Sequence, residues 1–195
     1  MKIIGITGGV GSGKSRVLSF MEEHYHATIC QADHVAWKLQ EPGERCYEEI
    51  VSFFGTSVLG PDGRIDRSAL GSIVFSDADK MQRLNQIMHP AVKSYILEWI
   101  SQEEEKGTAY FIIEAALLLE EQYQLICHEI WYIYCDEALR RSRLKESRGY
   151  TDEKISAMMA AQLPEQTFRE NCQVVIDNSG DFEHTCVQVE RAIKN

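Results

Sequence analysis

Residues 5–16 read "GITGGVGSGKSR" and follow directly on the apolar start of the chain. Residues 8–15 fit the pattern G-x-x-x-x-G-K-[ST], in which backbone N–H groups point inward at the phosphates of a nucleotide. An apolar strand is predicted before this loop and an amphipathic helix after it, and the N-terminal end of such a helix favours bound anions. The glycine positions do not fit the dinucleotide pattern G-x-G-x-x-G. The stretch therefore predicts a phosphate-binding loop (P-loop) between a strand and a helix.

This loop supplies most of the predicted nucleotide-binding residues. We expect Lys14 to reach the β- and γ-phosphates of the nucleotide, and the hydroxyl group of Ser15 to ligate Mg²⁺ between them. The predicted loop residues are Gly8, Gly9, Gly11, Ser12, Gly13, Lys14, Ser15 and Arg16.

Short apolar runs alternate with longer helical patterns along the rest of the chain. The predicted strands span 2–7, 27–31, 109–115, 129–135 and 173–177. They are apolar on both faces, which is typical of a parallel sheet covered by helices on each side. Helical patterns at 44–54, 66–75 and 77–105 fill the long interval between the second and third strands. The sequence thus predicts an α/β fold, a P-loop NTPase three-layer sandwich with a five-stranded parallel sheet and a helical substrate subdomain.

Composition excludes several classes of protein. The 195 residues include 30 acidic and 20 basic side chains, a net charge of −10 that argues against general binding to nucleic acid. No window approaches the roughly 18 apolar residues needed to span a bilayer, and no export leader precedes the first strand. The six cysteines are scattered without a C-x-x-C pair, as expected for reduced thiols. We expect a cytoplasmic monomer with no nucleic-acid or membrane partner.

Asp33 is the candidate for accepting a proton in the reaction. It follows the second predicted strand, at the edge of an open α/β sheet where ligands gather. A carboxylate there can deprotonate an attacking hydroxyl group. The local sequence equally allows Asp33 to cap the helix that begins "HVAWKLQ". The two roles are compatible, and the residues alone do not choose between them.

At this point the chain resembles a known family, the dephospho-CoA kinases, over nearly its whole length. The stretch "QADHVAWKLQEPG" is similar to the family's Asp-Ala-Asp segment, and "DGRIDRSALGSIVFSD" and "LNQIMHPAV" resemble its helical substrate region. The stretches "EAALLLE", "RLKESRGYT", "AAQLPEQ" and "VVIDNSG" resemble four further family segments. The P-loop alone is widespread, whereas these segments in this order are specific.

The resemblance implies ATP-dependent phosphorylation of the ribose 3′-hydroxyl group of dephospho-CoA, giving CoA and ADP. On this interpretation Asp33 orients and deprotonates the hydroxyl group. Lys14, Mg²⁺ held by Ser15, and Arg143 from a small mobile lid stabilise the charge on the transferred phosphoryl group.

The resemblance also implies roles for residues outside the loop. His89, Leu117 and Leu118 would line the acceptor pocket, and Asn178 and Gly180 would lie near the adenine of ATP. Simpler readings stay open: His89 could close a helix before a proline, the leucines could belong to the core, and residues 178–180 could form only a turn.

Some positions depart from the family pattern. Arg16 stands where threonine is usual, and Trp37 where arginine is usual, so Lys38 becomes the candidate contact for a substrate phosphate. The second lid arginine is displaced by one position, from Ser147 to Arg148, and Arg148 can replace it only if the helix ends there.

We expect one domain, 1–195, with a core (about 1–40, 107–136 and 172–195), a helical substrate-binding insertion (about 41–106) and a lid (about 137–171). Two other functions remain candidates. A kinase for another small acceptor, such as a nucleoside or nucleotide, would share the loop and the lid. A GTPase-type switch would fit the "DNSG" segment, but no guanine-selecting Asn-Lys-x-Asp segment occurs.

Overall fold

The computed structural model describes residues 1–194 and contains a parallel five-stranded sheet. Its strands lie in the order β2-β3-β1-β4-β5, and the β1–β3, β1–β4 and β4–β5 pairs are parallel. The strands are β1 Lys2–Thr7, β2 Thr28–Gln31, β3 Tyr110–Glu114, β4 Glu129–Tyr134 and β5 Val174–Asp177. All five predicted strands are confirmed to within a residue or two at each end.

The helical patterns predicted at 44–54, 66–75 and 77–105 form helices at 47–54, 67–75 and 78–105, the first of which begins three residues later than predicted. The helices are α1 Lys14–Tyr25, α2 Ala32–Leu39, α3 Tyr47–Phe54, α4 Arg67–Phe75, α5 Ala78–Glu105, α6 Glu137–Arg148, α7 Asp152–Ala160, α8 Glu165–Asn171 and α9 Phe182–Lys194. Short 3-10 helices occupy Thr56–Val58 and Tyr123–Leu125.

The structure divides into two compact units. The first combines Met1–Ile29 with the chain from Gly107 onward, and the second spans Cys30–Lys106. The finer division expected from the sequence, with a separate lid at about 137–171, stays a prediction.

Helices cover both faces of the sheet in the first unit. On one face, α1 and α9 pack against the strands through a continuous apolar core that includes Ile4, Trp131 and Val189. On the other face, the ring of Tyr132 stacks on that of Phe168 in α8, with the ring centroids 4.9 Å apart. This double coverage explains why the strands are apolar on both faces.

The second unit is built around the long helix α5, which packs against α2, α3 and α4. The helix runs unbroken through Pro90, so the reading in which His89 closes a helix is wrong. Proline removes one hydrogen bond from the helix interior, but burial on both sides of it, including Ile87 and Ile96, offsets that loss. The segment "PDG" at 61–63 forms a turn, in which the N–H of Gly63 donates to the carbonyl oxygen of Gly60 at 3.0 Å.

Candidate active site

The glycine-rich loop leads into α1 through a left-handed residue. Gly13 is the N-cap of the helix, with φ 87°, and it contributes no side-chain cap. A Cβ atom at this position would collide with the side-chain amide of Asn178, so the position requires glycine for both its conformation and its space. The first turn of α1 also contains no acidic side chain. Apart from the N–H of Arg16, which donates to the carbonyl oxygen of Gly13 at 3.1 Å, the N–H groups at the start of the helix have neither a side-chain cap nor an acidic neighbour, so this helix end can hold an anion.

Lys14 lies across the mouth of the loop. Its ammonium group donates to the carbonyl oxygen of Gly8 at 3.0 Å and lies 3.6 Å from a carboxylate oxygen of Glu114, at the end of β3. Both side chains are largely shielded from solvent, so the ion pair is held next to the loop. The ammonium group of Lys14 therefore lies at the start of the loop, next to Gly8 and Glu114.

Asn178 and Arg143 lie much later in the chain than the loop, and both form hydrogen bonds to it. The side-chain amide of Asn178 donates to the carbonyl oxygen of Ser12 at 2.7 Å, and its oxygen accepts a hydrogen bond from Thr185 at 3.0 Å. Arg143 donates to the carbonyl oxygens of Ser12, at 3.4 Å, and of Asn178, at 3.0 Å. Because Asn178 is buried and already bonded on both sides, its amide has a structural task that sequence reasoning did not find.

A thiol lies beside Arg143. Cys135 is buried and lies 3.3 Å from a guanidinium nitrogen of Arg143. Burial raises the pKa of Cys135, and the positive charges of Arg143 and Arg140 only partly oppose this effect. The neutral thiol therefore fits this position as a small apolar side chain.

Two further side chains of the first unit lie over the start of the loop. Oε1 of Gln162 accepts a hydrogen bond from the N–H of Val10 at 2.9 Å. The guanidinium group of Arg140 lies so close to Gly9 that a Cβ atom there would collide with it. The sequence signal for Arg140 was its spacing of three from Arg143, which puts both on one face of α6.

Arg16 and Arg148 have local partners of their own. The guanidinium group of Arg16 lies over the ring of Phe182 in α9, 3.9 Å from the ring centroid, which gives this unexpected arginine a packing role.

Helix α6 ends at Arg148, and Gly149 follows with φ 62°, as the displaced lid arginine required. A hydrogen bond from Arg148 lowers the pKa of the Tyr150 hydroxyl group. Contacts of both arginines with the nucleotide stay predictions.

Asp33 is an exposed residue in the first turn of α2. The N-cap of this helix is Gln31, so the reading in which Asp33 caps the helix is wrong. Its carboxylate is therefore not committed to the end of the helix.

The same helix carries the departures from the family pattern. Lys38 donates to the hydroxyl group of Tyr95 at 2.8 Å, and this hydrogen bond raises the pKa of Lys38. Trp37 is 45% exposed, and the guanidinium group of Arg67 lies over its ring, 4.4 Å from the centroid. A positive charge is thus present beside position 37, although it comes from α4.

Trp37 and Arg67 line a cavity of about 480 Å³ within the second unit. Its other walls are Gln40, Glu41, Gly60, Asp62, Arg64, Ile65 and Asp66. Arg64 is paired with Glu41 at 2.8 Å, and the carboxylate of Asp66 accepts from backbone N–H groups at the start of α4. Arg67 is therefore the cavity cation with no carboxylate partner among residues 1–194.

The remaining predicted residues differ in exposure. Leu118 is fully buried and packs next to Gly5 in the core, whereas Leu117 is half exposed. His89 is partly buried within α5, and Gly180 is exposed in the turn before α9. Leu117 is accordingly the member of the leucine pair that a ligand can reach.

The donor set near the loop suits magnesium. Within residues 1–194 no group of three or more His, Cys, Asp or Glu side chains could hold a metal ion. The loop instead offers the exposed hydroxyl group of Ser15, and Glu114 supplies a carboxylate beside Lys14. Mg²⁺ is usually held by one or two such protein oxygens together with substrate phosphates, so the residues present fit it.

Comparison with known proteins assigns the chain to a family. The family model described as CoaE, dephospho-CoA kinase, matches residues 2–184. The chain belongs to the dephospho-CoA kinase family. A dephospho-CoA kinase from Shouchella clausii is 37% identical over 97% of this chain and 96% of the relative. The resemblance inferred from the loop, Asp33 and the later segments is thus confirmed.

Solved structures share the fold of this chain. The crystal structure of TT1252 from Thermus thermophilus superimposes with a TM-score of 0.86, at 29% identity, covering 99% of this chain and 96% of that one. A dephospho-CoA kinase from Campylobacter jejuni shares the fold with a TM-score of 0.74, at 23% identity, covering 100% of this chain and 96% of its own. The predicted fold class is confirmed. Among the described residues, no helix combines the length and the apolar character that crossing a membrane requires.

Proposed function

We propose that this protein transfers the γ-phosphoryl group of ATP to the ribose 3′-hydroxyl group of dephospho-CoA, giving CoA and ADP. The observation that carries the proposal is a glycine-rich loop ending in an uncapped helix, with Lys14 across its mouth, in a chain that matches this family over residues 2–184. The loop is the evidence for ATP as the phosphoryl donor, and family membership is the evidence for dephospho-CoA as the acceptor.

At the donor end, the chain supplies positive charge and oriented N–H groups. The N–H groups of the loop and of α1 hold the phosphates, and Lys14 neutralises the charge that develops on the transferred group. Ser15 would hold Mg²⁺ together with the phosphates, and the ion would supply Lewis-acid stabilisation of the same charge. Arg143 keeps the loop in shape through its bonds to two carbonyl oxygens and contributes positive charge beside it.

At the acceptor end, Asp33 takes the proton of the 3′-hydroxyl group as that oxygen attacks phosphorus. Its exposed position near the start of α2 leaves both carboxylate oxygens available for this task. His89 and Leu117 remain candidates for contacts with the acceptor. Asp33 and Trp37 are four residues apart on α2, so the base and the cavity lie along one face of that helix.

Arg67 is the residue we expect to hold a phosphate of the acceptor in that cavity. Replacing Arg67 by alanine removes a charge-assisted contact worth about 1.5 kcal/mol or more, so KM for dephospho-CoA should rise about tenfold. Because the expected role of Arg67 is to bind the acceptor, kcat should change less than twofold. Steady-state kinetics with dephospho-CoA as the varied substrate measures both values.

Arg45→Ala provides the matched control for Arg67→Ala. Arg45 belongs to the same unit and is paired with Glu98, away from the cavity walls. Its variant should keep the wild-type KM. An unchanged KM in Arg67→Ala would show that the cavity is not part of the acceptor site.

The acceptor is tested with a panel. Purified protein is incubated with Mg²⁺ and ATP together with dephospho-CoA, AMP, CMP or a nucleoside, and ADP release is measured for each. We expect kcat/KM for dephospho-CoA to exceed the others by about 10²-fold or more. Preference for a nucleoside or nucleotide would replace the proposal with the alternative kinase, and hydrolysis without any acceptor preference would favour a switch.

A cytoplasmic location and a monomeric state complete the proposal. The six cysteines, none of which forms a disulfide within residues 1–194, suit a reducing compartment.

A further inference from the structure

We infer that Arg140 is a phosphate-binding residue of the donor site, and that its guanidinium group contacts the terminal phosphate of ATP. The transfer step in this inference rests on the proposed function, but the binding step requires only that the loop holds ATP. Arg140 was absent from the site residues that the sequence predicted.

The position of Arg140 is fixed by Gly9. The guanidinium group occupies the space that a side chain at position 9 would fill, so it lies directly on the start of the loop. The ammonium group of Lys14, which reaches the β- and γ-phosphates in loops of this type, is bonded to the neighbouring residue Gly8 at 3.0 Å. Arg140 and Lys14 therefore lie at the same end of the loop, and the inference places the terminal phosphate between them.

Arg140 also has unused hydrogen-bonding capacity. Its Nε is buried without a hydrogen-bond partner, and no carboxylate pairs with it among the described residues. Its neighbours on α6 differ: Arg141 is bonded to Glu137 and Ser156, and Arg143 is bonded to two carbonyl oxygens. A guanidinium group carries five N–H donors, and an anion bound in the loop would pair with the terminal nitrogen of Arg140 that lies beside Gly9.

The position of Arg140 on α6 compensates for the absence of arginine at position 147. Arg140, Arg143 and Ser147 have spacings of three and four residues, so they follow one face of the helix. Ser147 stands where the family resemblance leads one to expect the second lid arginine. Arg148 is rotated by about 100° from that face. Arg140 returns a second positive charge to the face that already carries Arg143, one turn nearer the start of the helix.

The position of Gln162 suggests a competing explanation, in which Arg140 only packs against the loop. Its Oε1 lies 3.5 Å from the position of a Cβ atom on Gly9, close to Arg140, and it accepts the N–H of Val10. Arg140 and Gln162 could then act together only as packing that holds the loop closed. A packing role predicts equal effects of substitution on every nucleotide, whereas contact with the terminal phosphate predicts an effect on ATP that ADP does not share.

The test compares Arg140→Met with Arg141→Met as its matched control. Binding of ATP and of ADP to each protein is measured by calorimetric titration with Mg²⁺ and without an acceptor. We expect Arg140→Met to weaken ATP binding about tenfold and ADP binding less than twofold, because one charge-assisted contact is lost. Arg141→Met should leave both affinities within twofold of the wild-type values.

Two additional variants keep the test decisive. Arg140→Lys, which retains the charge without the planar fork, should recover part of the preference for ATP. Arg140→Gln replaces the methionine variant if that protein does not fold, and melting temperatures within about 3 °C of wild type establish folding. Equal losses for ATP and ADP, no loss for either, or a lysine variant no better than the neutral one would overturn the inference.

The turnover measurement is separate from the binding test. With dephospho-CoA as acceptor, Arg140→Met should lower kcat about 30-fold or more, since the lost charge also stabilises the transition state. Inactive wild-type protein would refute the proposed function and leave the ATP and ADP affinities to decide the role of Arg140. Active wild type with an unchanged kcat in Arg140→Met would refute the catalytic part of the inference.

Discussion

Replacing Lys14 by alanine is expected to lower kcat by roughly 10³-fold or more, which is the largest single effect we predict. The ammonium group lies at the mouth of the loop, held by Gly8 and Glu114, where charge on the transferred phosphoryl group must be neutralised. Because the hydroxyl nucleophile and the base remain in place, the loss should appear in the chemical step. Single-turnover formation of ADP at saturating ATP measures it.

Lys145→Ala is the control for this experiment. Lys145 is an exposed lysine of α6 whose partner is Asp152, at 2.8 Å, and it has no contact with the loop. Its variant should turn over at the wild-type rate. A Lys14 variant that also remained fully active would exclude the loop as the site of phosphoryl transfer.

Replacing Asp33 by asparagine is expected to lower kcat by about 10²-fold or more, the usual scale for loss of a general base. Asparagine keeps the shape of the side chain but cannot take the proton of the hydroxyl group. The affinity for ATP should stay within about threefold, because the donor site is built from the loop and α1. Rapid-quench kinetics for the transfer step and titration with ATP measure the two quantities separately.

Asp79→Asn tests whether loss of any exposed acid would have the same effect. Asp79 lies in the first turn of α5, as Asp33 lies in the first turn of α2, and both are exposed. We expect Asp79→Asn to retain wild-type kcat. Near-normal turnover in Asp33→Asn would instead remove Asp33 from the role of base.

The sheet and the loop could be predicted because their signals are local. Strands buried on both faces leave continuous apolar runs, and the sharp turn into α1 leaves a glycine pattern with Gly13 at the left-handed position. Helical segments could also be predicted from the periodicity of their apolar residues. Family membership then followed from motifs in a fixed order.

The contacts missed by sequence reasoning join residues far apart in the chain. Asn178 reaches back to Ser12, and Gln162 to Val10, and no periodicity connects such positions. The stacking of Arg16 on Phe182 also joins the two ends of the first unit. Local patterns allow each residue several partners, and only the folded packing selects one.

Errors of helix placement had a different cause. The prediction treated Asp33 as a possible cap and Pro90 as a possible stop, following propensities measured at helix ends. The structure begins α2 at Ala32, one residue before Asp33, with Gln31 as the N-cap, and it continues α5 past Pro90. Tertiary packing of apolar side chains overrides these modest local preferences.

The most direct test of the central claim asks which hydroxyl group receives the phosphate. The protein is incubated with Mg²⁺ and ATP together with dephospho-CoA, its 2′-deoxy analogue or its 3′-deoxy analogue, and the products are followed by ³¹P NMR and mass spectrometry. We predict one added phosphate on dephospho-CoA and on the 2′-deoxy analogue, and none on the 3′-deoxy analogue. Phosphorylation of the 3′-deoxy analogue, or no transfer to dephospho-CoA itself, would contradict the account.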